Sequence, residues 1–458
     1  MKKYIISNEI DVNEQNVGDW INDFISNIQP HLCYLEAFYQ GKDEIVKYPF
    51  EQKRINNIVH VNHAYMTVQN IISYCFGKIP TQDYKKEFEY GKYIDELKFR
   101  NNEILEDKAL ESDLSRLGIA YEFIGVREYK GKKEPFYKKL DPFTTFLVTD
   151  DSILETEICY ITYSIVKPKN AQPFKRGFIY TKGEIISFDC KSGKVVFTER
   201  EDNTAYPNDF PIVLYKNNDD AVGDYEMATE ILSQISKTVS GGADDFESVA
   251  NAMLLIYNAD LPDEEREKLN KTRVAALNGE NTKAEYIYKK LDSTSFKVLY
   301  EALVDRYYAI TNIPDFTDLC SYNKSGSAIA FKMIGIENVR LNKTAYFEQG
   351  MRKRWDIIAN YVGEPFEIKL GDMEYHFHNN LPSNVTADLE YADLVDRGLL
   401  SRETAMKHME TVTDVEGELA RIQAEKQADM QYAIAEIRKA DNNTNGTEYR
   451  EPSFEFSM

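Results

Sequence analysis

From Ile119 to Tyr215 the sequence reads as strand after strand, while the segments on either side read as helix; this change of period constrains the fold most. Within the block, Ile119–Glu128, Pro135–Leu140, Thr144–Val148, Ile158–Ile165, Arg176–Tyr180, Glu184–Phe188 and Val195–Glu199 are rich in β-forming residues, several in period-two alternation. Lys130-Gly131-Lys132-Lys133, Lys182-Gly183 and Ser192-Gly193 supply hairpin-type turns. Ahead of the block, Trp20, Phe24, Ile28, Leu32, Leu35 and Phe38 form one helical stripe over 16–40, which Gln29-Pro30 is expected to break into two helices. Further helices are predicted over 62–76, ending at Gly77, and over 101–117, ending at Gly118. Residues 1–218 therefore read as one α+β unit.

After Asp219-Asp220 the helical period returns. Residues 224–250 place Ile231, Leu232, Ile235 and Val239 on one face, with an interruption expected at Gly241-Gly242. A short module over 253–290 follows: a strand at Met253–Tyr257, a small helix opened by Pro262-Asp263 with Glu264 and Glu265 in its first turn, and two strands ending in Tyr286-Ile287-Tyr288. Asp292 caps a helix striped by Phe296, Leu299, Leu303, Tyr307 and Ile310 and stopped by Pro314; the stripe reads as helix packing, within or between subunits. Polar residues 315–327 lead to a long helix, 328–361, with Phe347, Met351, Trp355, Ile358 and Val362 at helical spacing. A polar strand region (Phe366–Asn379) and helices near 384–397, 401–410 and 414–440 complete the pattern, and the polar tail 441–458 reads as disordered.

The motifs that would name a reaction do not occur. The chain has no GxxxxGK[ST], HExxH, GxSxG or GxGxxG. His60-x-x-His63 and His376-x-His378 offer two imidazoles each without a third ligand nearby, and Asp219-Asp220 and Asp244-Asp245 read as solvated carboxylates, since adjacent residues point apart. Ser240-Gly241-Gly242 reads as a kink, not a phosphate loop. Five scattered cysteines with no CxxC indicate reduced thiols, and no apolar run approaches the ~20 residues of a membrane span. No cofactor and no membrane partner are expected.

Charge carries more information. The formal net charge of −21 argues against a protein that grips nucleic acid over its whole surface. The charge is uneven: 219–250 is net −7, whereas 323–362 is net +4. On a monomer, segregated charge of this kind marks solvated helix faces; in a ring it suits an acidic helix meeting a basic one on a neighbouring subunit, with Asp244, Asp245, Arg352 and Arg354 at the contact.

Several short segments, in order, resemble the portal proteins of long-tailed phages that infect Gram-positive bacteria. They are Tyr39-Gln40-Gly41-Lys42-Asp43-Glu44-Ile45, then Asn56-Asn57, then Tyr74-Cys75-Phe76-Gly77-Lys78-Ile79-Pro80. Gly118-Ile119-Ala120-Tyr121-Glu122 and Leu140-Asp141-Pro142 follow. Ser325-Gly326-Ser327-Ala328-Ile329 resembles the small-residue step at the head of the family's long helix. Asn380-Leu381-Pro382-Ser383-Asn384 and Gly398-Leu399-Leu400-Ser401-Arg402-Glu403-Thr404 resemble its C-terminal signature. The His often found shortly after the first Gly is missing here.

The resemblance implies an α+β portal fold assembled as a ring, usually of twelve subunits. Residues 1–218 would be the wing, 219–252 and 292–314 the stem helices, 253–291 the clip, and 315–327 the tunnel loop region. Residues 328–379 would form the long wing helix and strand, and 380–440 the crown. It further implies a DNA channel at one capsid vertex of the virion, approached by Asn323, Lys324, Ser325 and Gly326, with assembly in the host cytoplasm. A separate large terminase would drive double-stranded DNA through, in keeping with the missing phosphate-loop motif. Terminase and the head–tail adaptor would dock at the clip through Asp263, Glu264, Arg266 and Arg273, while major capsid and scaffolding proteins surround the ring. Two other readings stay open: a metal-dependent DNA-processing enzyme of the phage head using Asp244 and Asp245, and a monomeric acidic scaffold protein.

Overall fold

The computed structural model describes residues 2–44, 57–78, 80–85, 88–169, 172–250, 253–257, 283–287, 293–316, 326–361, 367–369, 371–380, 385–408, 412 and 415–444. The chain divides into two compact units, 1–380 and 381–458.

In the first unit, β1 (Ile5–Ser7), α1 (Glu14–Asp23), α2 (Gln29–Gln40), α3 (His63–Phe76), β2 (Thr81–Tyr84), α4 (Gly91–Asn101) and α5 (Glu103–Leu117) precede the strand block. The block itself is β3 (Ile119–Tyr129), β4 (Lys132–Leu140), β5 (Thr145–Asp150), β6 (Glu157–Val166), β7 (Phe174–Tyr180), β8 (Glu184–Lys191), β9 (Lys194–Asp202) and β10 (Ile212–Lys216). Then come α6 (Thr229–Ala250), β11 (Met253–Tyr257), β12 (Lys283–Ile287), α7 (Ser293–Thr311), α8 (Gly326–Ala359) and β13 (Met373–His376). The unit is α+β, as the change of period predicts.

Strands β1-β5-β6-β7-β8-β9 form a six-stranded sheet, and β10-β3-β4 a three-stranded one. Only the β1–β5 pairing in the larger sheet is parallel, so the rest closes by short hairpins. β1, β2 and α4 were not anticipated, and β10 falls at the end of the predicted strand block without having been singled out. β1 has three residues, and α4 buries only Ile94 and Leu97 among its large apolar side chains, too few to set a period.

The expected break at Pro30 does not occur. A five-residue π-helical stretch, Phe24–Ile28, joins α1 to α2. The wider turn accommodates a proline that has no N–H to donate and whose ring displaces the carbonyl one turn back. The stripe from Trp20 to Phe38 therefore stays buried on one face, with Phe24 stacked on Phe146 at 4.5 Å between ring centres.

Nor does Gly241-Gly242 interrupt α6, which runs 22 residues through both. Gly242 is the flat spot on which the Phe296 ring of α7 rests: a Cβ there would sit 2.5 Å from a ring carbon, whereas one at Gly241 meets nothing within 4 Å. Two neighbouring substitutions should thus act oppositely in thermal unfolding. Gly241→Ala is expected to stabilise by up to about 1 kcal/mol through helix propensity. Gly242→Ala is expected to lose that gain to overpacking, to cost roughly 1–2 kcal/mol of stability and so to lower the melting temperature.

α8 spans 34 residues and buries Phe347, Met351, Trp355 and Ile358 of the predicted stripe; Val362 lies outside the described residues. Gly350 brings it against the Tyr215 ring of β10. In the second unit, α9 (Val385–Asp396), α10 (Arg402–His408) and α11 (Val415–Thr444) lie close to the predicted spans. α11 continues through Thr444, so the polar run beginning at Asp441 opens in helix; 445–458 lie outside the described residues.

Candidate channel and assembly elements

α6 and α7 pack side by side, and the antiparallel β11–β12 ribbon lies between them in sequence. One side of α6 carries Ser236, Ser240, Asp244 and Glu247, about one turn apart. Segment 57–61 runs along it. The N–H of Val61 donates to Ser236 Oγ (3.2 Å), that of Val59 to Ser240 Oγ (3.0 Å) and that of Asn57 to Asp244 Oδ1 (2.7 Å). Asn57 Nδ2 adds a bond to Glu247 Oε2 at 2.7 Å. Four helical residues advance ~6 Å and two extended residues ~6.6 Å, so the rungs remain in step. Asp244, expected at a subunit contact, is therefore engaged within its own chain; Asp245 stands about 100° further round the helix.

The apolar stripe of α7 divides. Tyr307 is buried, its hydroxyl paired with Thr67 at 2.5 Å, and Leu303 packs on the core. Val298, Leu299 and Ile310 are exposed.

Five bases of the long helix pair with carboxylates of their own chain, two of them, Lys343 and Arg354, almost wholly buried. Arg340 pairs with Glu337 at 2.5 Å, Arg352 with Glu348 at 2.5 Å and Lys353 with Glu157 at 2.5 Å. Lys343 lies 2.7 Å from Glu111 and 2.8 Å from Asp224 and donates to Asn217 Oδ1 at 2.6 Å. Arg354 is 0% exposed and meets Glu122 and Asp107 at 2.7 Å each and Glu103 at 3.1 Å, with the Tyr137 ring face 4.5 Å away. The expectation that Arg354 reaches a neighbouring subunit is corrected: a guanidinium enclosed by three carboxylates of its own chain has nothing left to offer outside. Arg352 alone of the expected basic pair is surface-accessible, 41% exposed.

Two buried cations thus face five carboxylates. Burial pushes Glu111 up to about 7, the nearby Asp224 charge adding to it and Lys343 opposing. Burial likewise raises Glu103, Asp107 and Glu122, against the pull of Arg354. Both cations are held above their ordinary range, since the carboxylates around them outweigh burial. The positive charges persist, and the surplus negative charge is what titrates. The acidic partners were missed in the sequence, although Glu103, Asp107 and Glu111 recur every four residues on α5, one face of a helix.

Asn323, Lys324 and Ser325 lie outside the described residues, as do Asp263, Glu264, Arg266 and Arg273; Gly326 is the first residue of α8. The paired histidines have separate surroundings. His60 Nδ1 meets Asp43 at 2.9 Å, while the buried His63 ring packs on Tyr307 and Tyr308. His376 meets Asp83 at 3.2 Å, and His378 meets Thr81 Oγ1 at 3.0 Å. Among the described residues no group of three or more His, Cys, Asp and Glu side chains is placed to hold a metal ion, and no helix is long and apolar enough to cross a membrane. Cys33, Cys75, Cys159 and Cys190 are free thiols.

Two of the segments that carry the family resemblance meet in space. The N–H of Asn380 donates to Tyr74 O at 3.1 Å, and its side chain presses on Gly77, where a Cβ would stand 2.4 Å from Asn380 Nδ2. Among curated proteins none matches the chain. The family model for phage portal proteins of the SPP1 Gp6-like type matches residues 22–432, spanning the strand block β3–β10, the α6–α7 pair, the long helix and most of the second unit. With nearly its whole length matched, the chain belongs to the SPP1 Gp6-like phage portal proteins.

Proposed function

We propose that copies of this chain, twelve by analogy with the family, close into a ring at one capsid vertex of the virion. The ring is the channel for DNA packaging and ejection and the docking platform for terminase and the head–tail adaptor. The observation that carries the reading is the helix–ribbon–helix order of α6, β11, β12 and α7 inside a chain matched to the portal family over 22–432. In this reading α6 and α7 are the stem, 253–291 the clip and 380–440 the crown. Asn323, Lys324, Ser325 and Gly326 approach the DNA, and Asp263, Glu264, Arg266 and Arg273 meet the docking partners. Capsid and scaffolding proteins surround the ring during assembly in the host cytoplasm. The portal family is structural, so the chain contributes geometry and charge, and the motor that moves DNA is a separate ATPase.

Ring contacts need surface that the monomer leaves uncovered. Phe331, Ile334 and Leu341 are exposed on α8 at spacings of three and seven, one helical face, and Val298, Leu299 and Ile310 are exposed on α7. A neighbouring copy covers these faces, with Arg352 and Asp245 at the polar margin. Native mass spectrometry and negative-stain imaging of the full chain should show closed rings. Leu341→Asp should reduce the ring fraction at least tenfold while leaving the melting curve of the monomer within about 0.5 kcal/mol, as for a surface site. A wild-type chain that stays monomeric at all concentrations and salts would overturn the reading.

A further inference from the structure

We propose that the tip of the β3–β4 hairpin, with the adjoining face of α4, binds the phosphodiester backbone of duplex DNA at a place other than the channel loop. The tip is Tyr129-Lys130-Gly131-Lys132-Lys133, turned by positive φ at Lys130 (51°) and Gly131 (78°). It borders an open cleft of about 770 Å³ lined also by Phe99, Arg100, Asp95, Glu96 and Glu134. Each acid in the cleft has a partner within the chain. Asp95 accepts the Tyr84 hydroxyl at 2.7 Å, Glu96 pairs with Arg100 at 3.2 Å, and Glu134 pairs with Arg100 at 3.3 Å and Arg127 at 3.1 Å. Lys130, Lys132 and Lys133 are exposed, and among the described residues none of them has a carboxylate in ion-pair range. Glu128 stands opposite Lys133 in the hairpin register, so the tip carries three exposed ammonium groups against that one carboxylate, a local cationic excess for a polyanion in a chain of net charge −21.

The aromatic residues select the kind of polyanion. The Tyr129 ring is already approached by Arg100 (5.5 Å) and Lys130 (5.3 Å), so it orients cations and is not open as a stacking platform for bases. Cations fixed on a rigid hairpin suit regularly spaced phosphates more than a flexible acidic peptide. Phe99, 85% exposed in the cleft, is the feature that would favour a single strand, and the test separates the two.

The test titrates the full chain against a labelled duplex of about 30 base pairs, the matching single strand and a poly-glutamate peptide, at several salt concentrations. Lys130→Glu/Lys132→Glu/Lys133→Glu should weaken duplex binding at least tenfold near 50 mM salt and flatten the log–log salt slope by about 2–3, or ~0.9 for each phosphate no longer neutralised. Lys167→Glu/Lys169→Glu, exposed in the loop after β6, should leave both unchanged. Should the charge-reversed triple not fold, the Lys→Gln triple reads the same slope. Unchanged duplex binding, or an equal loss in the control pair, would overturn the proposal. So would a loss confined to the single strand, which would assign the site to base stacking on Phe99, or one confined to the peptide, which would assign it to a protein. Rings seen in negative stain for both variants separate this site from the portal assignment, which stands or falls on the wild type.

Discussion

Arg354→Met is expected to destabilise the first unit by about 3–5 kcal/mol, because it removes the guanidinium that pairs with the buried Glu122 and Asp107. The shape of the side chain is nearly kept, so the loss is electrostatic. Chemical denaturation should show a lower midpoint with an unchanged slope. Adding Glu122→Gln and Asp107→Asn should recover part of the loss, since of the three carboxylates only Glu103 then remains, and it lies 3.7 Å from Lys98. Arg352→Gln, two residues earlier on the half-exposed rim, should change stability by less than about 0.5 kcal/mol. If the two arginine variants behave alike, the buried-network account of α8 is wrong.

Glu111→Gln should do the reverse and stabilise the protein, but only at higher pH. Burial lifts the Glu111 carboxyl from 4.5 to about 7, so between those values the folded chain keeps a proton that the unfolded chain has released. The contribution of this group to stability is full below about 4.5 and is lost as pH rises through 7; by linkage the loss is roughly 3 kcal/mol. A glutamine is neutral throughout and escapes that loss, while Lys343 keeps Asp224 and Asn217. The variant should therefore match the wild type near pH 4.5 and exceed it by about 2–3 kcal/mol near pH 8 in paired melts. A variant weaker than wild type at pH 8 would mean that the Glu111–Lys343 pair is net stabilising when ionised.

What could be read from the sequence depended on how locally each feature was encoded. The strands from β3 to β9 announced themselves because alternation and Gly-centred turns are local signals. The long helix did so because Phe347, Met351, Trp355 and Ile358 repeat within one element. Pro30 and Gly241-Gly242 misled for a common reason: each is a local breaker whose outcome was decided by tertiary packing, a widened turn in one case and the Phe296 ring in the other. The basic run on α8 misled differently. Its charge was counted correctly, but the carboxylates around Arg354, and Glu111 beside Lys343, lie on α5 and β3, more than 220 residues earlier in the chain, and charge counts carry no information about such pairings. Family membership was legible because it rests on ordered short segments, two of which, around Gly77 and Asn380, prove to touch.

The hydrogen-bonded rungs between segment 57–61 and α6 have a mechanical consequence. Because a rung recurs every four residues of the helix and every two of the segment, sliding α6 by a single residue along its axis breaks all three backbone bonds together, about 1 kcal/mol each. The coupling is stiff in that direction. The segment runs directly into α3, whose first turn is capped by Asn62 through the N–H of Tyr65. A push delivered along α6 is thus transmitted to α3 as a rigid linkage, the way a rack moves with its pinion engaged.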